Sequence, residues 1–382
     1  MSGVYTLYGS YASYHTAKTR SYLRKKGIPF VERVPGVPRF REVVRKQSDN
    51  HRIPQLEMPS GEVVQDSIAI FDALETLHPT PPAYPPGVRQ QLVARLLEYF
   101  IDATLGKPAW HYRWNFKDEN YSFVGREFGR SFKPYGSDEE LTHYGNVIAE
   151  RMEGKRAALG DSPELRPVFE AIYLDALEIL DEQFREYPYL FGGLPSIADH
   201  ILMGPVFGHL ARDPVPANLM KLKAPRLYRW TEHMNTPELA SPEQSDIPEA
   251  YLEGDEIPAG TLKFLGLCLE VAGDTLVQSM AHYNEWAAGQ GHKASGERLS
   301  DDGLHEPVVA RFTGELRGVP SQENVLSYNI WVVQRVADWY GQLSDDDVAL
   351  CDQLLQTLGG FSLATLKPAR RLTRAGTYMA FE

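Results

Sequence analysis

Alternating and helix-periodic stretches succeed one another through the first eighty residues. Val4 to Tyr8 reads as a short strand, and Tyr14 to Lys26 is a run of good helix formers that stops at Gly27, with Pro29 beyond it. Phe30 to Val34 alternates as a second strand, and Phe40 to Gln47 predicts a short basic helix. Ile53-Pro54 opens another alternating strand. Pro59-Ser60-Gly61 then supplies a turn, because proline presets one dihedral and glycine tolerates positive φ. Glu62 to Val64 returns, and Ser67 to Leu77 predicts a helix with Ile68, Ile70, Phe71 and Leu74 on its apolar face.

That order is the βαβαββα arrangement of a thioredoxin-like domain, residues 1–80. The run PTPPAYPPG continues neither helix nor sheet and makes residues 81–88 a linker. Beyond it the apolar period becomes three and four: Leu92, Leu96, Leu97, Phe100 and Ile101 in one segment, Leu165, Val168, Phe169, Ile172, Ala176, Ile179 and Leu180 in another. Residues 89–240 therefore predict an all-α helical bundle, and the fold class is α+β. An acidic, proline-containing break, SPEQSDIPEAYLEGDEIP, leads into residues 250–382. There Leu262 to Ala288 and Val325 to Leu343 are apolar and helical, and Ser344-Asp345-Asp346-Asp347 begins another capped helix. We expect a helical extension, with Asp301 to Glu306 an exposed acidic loop and KPARRLTRAG a peripheral basic run.

Charge and cysteine usage narrow the partners. With 39 basic against 51 acidic residues the formal charge is −12, which argues against nucleic acid, since phosphate needs a basic patch. No apolar run approaches the roughly 18 residues of a membrane span, and the chain enters a strand at once, so no membrane association and a cytoplasmic location are expected. Cys268 and Cys351 both fall on patterns of buried helices and suggest no disulfide framework. His200 and His209 lack the carboxylate or cysteine that would complete a ligand set, so no metal is expected.

The nineteen residues RIPQLEMPSGEVVQDSIAI, Arg52 to Ile70, concentrate the candidate chemistry. Asp66 and Ser67 stand at a helix start, where free backbone N–H groups point outward and suit a carboxylate. Pro54 offers no N–H and belongs at a strand's first residue or at an edge, which trans and cis bonds both satisfy. A cis bond would turn the N–H and C=O of Ile53 outward, ready to pair with a bound peptide. Upstream, Ser13 precedes a helical run and suits an N-cap.

LYGSYASYHTAKTRSYLRKKGIPF, followed by RIPQLEMPSGEVVQDSIAIFDALE, resembles the amino-terminal domain of the glutathione transferase superfamily. The resemblance implies that glutathione is the co-substrate and that Ser13 stabilises its thiolate. It further implies a cis bond before Pro54, a γ-glutamyl group held by Asp66 and Ser67, a glycine carboxylate reached by Arg52, and backbone pairing of the cysteine moiety with Ile53. Tyr14 replaces the usual proline, and Tyr11, with Tyr8 behind it, is the second candidate for contact with the thiol. A free thiol, with pKa about 8.5, is only a few per cent ionised at neutral pH. A hydroxyl donor at the positive end of a helix favours the thiolate. The loop has no cysteine, which excludes dithiol exchange and leaves conjugation, isomerisation or thiolytic cleavage.

Within the bundle, LFGGLPSIADHILMGPVFGHL contains Ser196 and Asp199 in an S-x-x-D capping box, which resembles the one in the carboxy-terminal domain of that superfamily. The aromatic cluster from Trp110 to Phe116 follows the first bundle helix, and Trp110 and Tyr112 are expected to line a pocket for a small hydrophobic electrophile. The resemblance implies a homodimeric enzyme. The alternative is a noncatalytic binding or assembly protein of the same fold that uses the extension as its interface.

Overall fold

The computed structural model describes residues 3–154, 160–300 and 302–382. Asp301, the first residue of the expected acidic loop, lies outside them. Strand β1 (Tyr5–Tyr8) leads through a short loop into α1 (Tyr14–Lys25), and β2 (Phe30–Arg33) returns parallel to β1. A π-helical turn, Phe40–Val44, runs into α2 (Arg45–Gln47). Then β3 (Gln55–Glu57) and β4 (Val63–Gln65) form a hairpin, followed by α3 (Ser67–Leu77). The sheet order is β2-β1-β3-β4, with β1 and β3 antiparallel, which is the thioredoxin-like arrangement. Leu7 and Leu56 pair at its centre, fully buried in the same core as Tyr22, Leu23, Ile68, Phe71 and Leu74. Gly61 makes the hairpin turn at φ +90, a conformation open to glycine.

The bundle comprises α4 (Val88–Asn115), α5 (Lys117–Phe132), α6 (Asp138–Glu153), α7 (Arg166–Glu186), α8 (Ile197–Leu202), α9 (Pro214–Lys223) and α10 (Pro225–His233). Helix α4 is its axis: α7 and α8 pack on it, and so do three helices of the extension, α11 (Ala259–Ala288), α12 (Ser327–Tyr340) and α13 (Asp345–Thr357). A single apolar cluster runs from Leu7 to Phe381, so the extension shares the core of the rest.

Three expectations for the extension are corrected. It is not helical throughout, because β5 (Val308–Leu316) pairs with β6 (Val319–Leu326) and β7 (Leu372–Ala375) with β8 (Tyr378–Phe381), both antiparallel. Val325 and Leu326, expected in a helix, end β6. Finally, α11 does reach the length and apolarity of a membrane span, although 56% of its most apolar window is buried inside the protein. It is apolar on several sides because α4, α7 and β5 all pack on it.

Candidate functional site

The site begins in the loop between β1 and α1. Ser13 is the N-cap of α1, its Oγ accepting from the backbone N–H of Thr16 at 3.2 Å. Capping uses an acceptor lone pair and leaves the hydroxyl hydrogen as a donor. A buried ion pair holds this loop from below. Arg113 of α4 donates from Nε and Nη2 to the two oxygens of Asp213, at 2.7 and 2.8 Å; Nη2 also donates to the Gly208 carbonyl at 3.0 Å, and Nη1 donates to the Ala12 carbonyl at 3.1 Å. The cation thus ties the residue before Ser13 to the turn before α9. Burial alone pushes the Asp213 carboxyl up, and Arg113 opposes it.

The tyrosines of the loop divide. The Tyr8 hydroxyl donates to Glu57 at 2.9 Å, and burial together with that carboxylate pushes its pKa up to about 12. With its hydroxyl proton committed to Glu57, it is a poor thiol donor. Tyr11 is partly exposed and lies over the guanidinium of Arg20, 4.0 Å from ring centroid to carbon. Tyr14 donates to Asp102 at 2.8 Å, and Lys18 donates to the other oxygen of Asp102 at 2.5 Å. Strands β1 and β4 are both antiparallel to β3, so α1, which follows β1, and α3, which follows β4, start at the same end of the sheet and face one another across a cleft there.

Across that cleft, the Ile53–Pro54 bond is cis, Pro54 is buried, and its carbonyl accepts from the Asp66 N–H at 3.3 Å. Asp66 has φ +90, a conformation that a non-glycine residue adopts rarely and that concentrates at functional sites. Its Oδ1 caps α3 by accepting from Ile68 and Ala69 at 3.0 and 3.2 Å, and Ser67 is buried beside it. Arg52 is half-exposed at the rim. Ser13, Arg52, Ile53, Pro54, Asp66 and Ser67 therefore come from three separate loops to the same end of the sheet.

The two expected pocket aromatics part company. Trp110 is half-buried on the stripe of α4 that also carries Asp102 and Gly106, the residues that meet Tyr14. Tyr112 is corrected: it is buried in the bundle, stacked on Phe116 and edge-on to Tyr173. Residues two positions apart on a helix are rotated by about 200°, so Trp110 and Tyr112 cannot both face one pocket. Ser196 and Asp199 stand at the start of α8. The Asp199 carboxylate accepts from the Ser196 N–H and from the Ser196 hydroxyl, each at 2.8 Å, and also from the Leu190 N–H at 3.0 Å. His200 is bonded to Ser21 and His209 to the Ala109 carbonyl.

The largest departure from the sequence reading lies in the extension, which closes over the α3 side of the cleft. Glu306, placed in the expected exposed acidic loop, is instead three-quarters buried and pairs with Arg52 at 2.5 Å. Tyr328, from the first turn of α12, donates to Asp66 Oδ2 at 2.9 Å. Arg374, within the basic run expected at the periphery, has a side chain only 12% exposed. Its Nη2 donates to Gln65 at 3.3 Å, while Nη1 stands 3.3 Å from Asp66 Oδ1. Around them, Arg335 grips Asp72 through two bonds, Tyr378 donates to Asp49, and Thr377 donates to the Ser48 carbonyl. Their partners are 263 to 329 positions away in the chain, and no local pattern carries them. One local signal does exist for the hairpin that delivers Tyr328: Arg317-Gly318, both at positive φ, forms a two-residue turn between alternating strands.

Residues 7–82 match a family model described as glutathione S-transferase, N-terminal domain. No curated protein matches the chain. Among solved structures, a glutathione S-transferase from Rhodospirillum rubrum F11 is similar at 15% identity, covering 68% of this chain and 98% of its own, with a TM-score of 0.37. The beta-etherase LigF from Sphingobium sp. strain SYK-6 is similar at 20% identity over 64% of this chain and 98% of its own, with a TM-score of 0.42. The glutathione transferase GSTFuA3 from Phanerochaete chrysosporium is similar at 17% identity over 63% of this chain and 100% of its own, with a TM-score of 0.41.

Proposed function

We propose that the protein, whose residues 7–82 match the glutathione S-transferase N-terminal domain model, binds glutathione across this cleft and activates its thiol for attack on a small hydrophobic electrophile. The observation that carries the reading is the convergence of Ser13 at the positive end of α1 with Asp66, strained and buried at the start of α3, on either side of Pro54. The thiolate would lie at Ser13, where one charge-assisted hydrogen bond and the helix terminus stabilise the anion. Asp66 and Ser67 would hold the γ-glutamyl end and Arg52 the glycine carboxylate. Trp110 would contribute to the wall for the electrophile, on the stripe of α4 below Tyr14.

Lowering a thiol pKa by about two units corresponds to about 2.7 kcal/mol, within the reach of those two effects together. The test is titration calorimetry with glutathione, followed by ultraviolet titration of the bound thiolate. Binding with a thiol pKa below that of the free peptide is expected. Undetectable binding would overturn the proposal, and binding with an unshifted thiol would leave a noncatalytic binding protein.

A further inference from the structure

The extension brings to the cleft a donor that has no acceptor. Among the described residues, Arg374 Nη1 is buried and makes no hydrogen bond, although Asp66 Oδ1 is 3.3 Å away. The reason is that Oδ1 already accepts from two backbone N–H groups of α3, so its lone pairs are committed. Asp66 neutralises the guanidinium without satisfying it. The rest of Arg374 is held in place: Nη2 bonds Gln65, and the guanidinium lies over the Trp331 ring at 5.7 Å. Among the described residues the other oxygen of Asp66 accepts from Tyr328 alone and keeps room for a second donor. Side by side, therefore, stand an acidic oxygen with an unused acceptor position and a guanidinium with an unused donor.

An α-amino acid end presents the complement of that pair, an ammonium and a carboxylate on one carbon. We propose that two residues of the extension complete the amino-terminal site, Arg374 as a binding residue and Tyr328 as a positioning residue. Arg374 takes the α-carboxylate of a γ-glutamyl thiol peptide while Asp66, steadied by Tyr328, takes its ammonium. This rests on the proposed glutathione reading and adds to it the origin of half the subsite, which lies in residues 250–382. Arginine suits the task because its planar fork stays charged and meets carboxylates with fixed geometry. Glu306 does the matching work at the rim by holding Arg52 in place.

A thermodynamic cycle on the full-length protein tests the assignment. Wild type and Arg374→Ala are titrated calorimetrically with glutathione and with its analogue in which hydrogen replaces the glutamyl α-carboxylate. Arg374→Ala is expected to weaken glutathione by about tenfold or more, the analogue is expected to bind wild type more weakly by a similar factor, and the two losses should not add. Arg374→Lys should recover part of the affinity, and Tyr328→Phe should weaken glutathione by several fold. If Arg374→Ala weakens glutathione and the analogue equally, the residue acts only on the fold, and the assignment fails. If it binds glutathione as well as wild type or tighter, the extension merely competes for Asp66, and the assignment fails again. A wild type that binds neither ligand overturns the glutathione reading itself, an outcome distinct from both.

Discussion

Ser13 caps α1 and, in the proposed reading, also donates to the thiolate from the same oxygen; two measurements on one substitution separate these roles. Ser13→Ala removes the acceptor for the Thr16 N–H, which should cost about 0.5–2 kcal/mol of stability, and removes the hydroxyl donor, which should raise the pKa of bound glutathione by about one unit or more. Denaturant unfolding measures the first and thiolate absorbance the second; a pKa unchanged by the substitution would move the role to Tyr11. Arg113 acts one layer further back. Replacing it with leucine leaves Asp213 buried and uncompensated and leaves the Ala12 carbonyl without its donor, so unfolding in urea should show a loss of about 3–5 kcal/mol. Arg113→Lys should rescue only part of this, because one ammonium cannot reproduce the fork that reaches Asp213, Ala12 and Gly208 at once.

At the scale of elements, helix ends carry the information. Helix α8 is held by Asp199, whose carboxyl is fully buried and whose pKa burial pushes up to about 6 in spite of the hydrogen bonds from Ser196 and Leu190. The unfolded chain has an aspartate pKa of about 3.9. Between those values the folded protein binds the proton more tightly, so this group's contribution to stability is complete below about pH 4 and falls as pH rises to about 6. The advantage of wild type over Asp199→Asn should therefore shrink by about 2 kcal/mol between pH 4 and pH 7. Denaturant titrations at both pH values check this, and a constant difference would show the carboxylate already ionised at the lower pH. Helix α4 is capped from a distance. Asp255 accepts from the N–H groups of Arg89 and Gln90 at 2.8 and 2.9 Å, and a Cβ on Gly87 would come within 2.0 Å of its Oδ1. Asp255→Ala and Gly87→Ala should each cost about 1–2 kcal/mol in unfolding experiments, the first through a lost cap and the second by pushing the cap away.

Across the whole molecule the extension is part of the core. Phe264, Leu265, Cys268, Leu276, Met280 and Tyr283 of α11 are all at most 1% exposed, and removing them uncovers the faces of α4 and α7 on which α11 packs. At roughly 1.5–3 kcal/mol for each large apolar side chain, the loss is about 10 kcal/mol, comparable to the total stability of an ordinary domain. A chain ending at Asp246 should accordingly be recovered aggregated or without fixed tertiary structure, as near-ultraviolet circular dichroism will show. Point substitutions at Arg374, Tyr328 and Glu306, not truncation, are the means to separate the extension's part in binding from its part in folding.

The amino-acid sequence by itself determined the βαβαββα order, the Ser13 cap, the Ile53-Pro54 strand start, the Asp66-Ser67 helix start and the Ser196-Asp199 box. Each is encoded within a few neighbouring residues, where periodicity, capping and turn chemistry act. Only the tertiary structure decided that Tyr112 turns into the bundle while Trp110 does not, that Asp255 caps α4, and that Glu306, Tyr328 and Arg374 reach Arg52 and Asp66. Glutamate, tyrosine and arginine are common surface residues with no local signature. What makes these three part of the cleft is burial of α11 and α12 against α4, which brings the last hairpin and α12 to the start of α3, where largely buried polar groups must pair with one another.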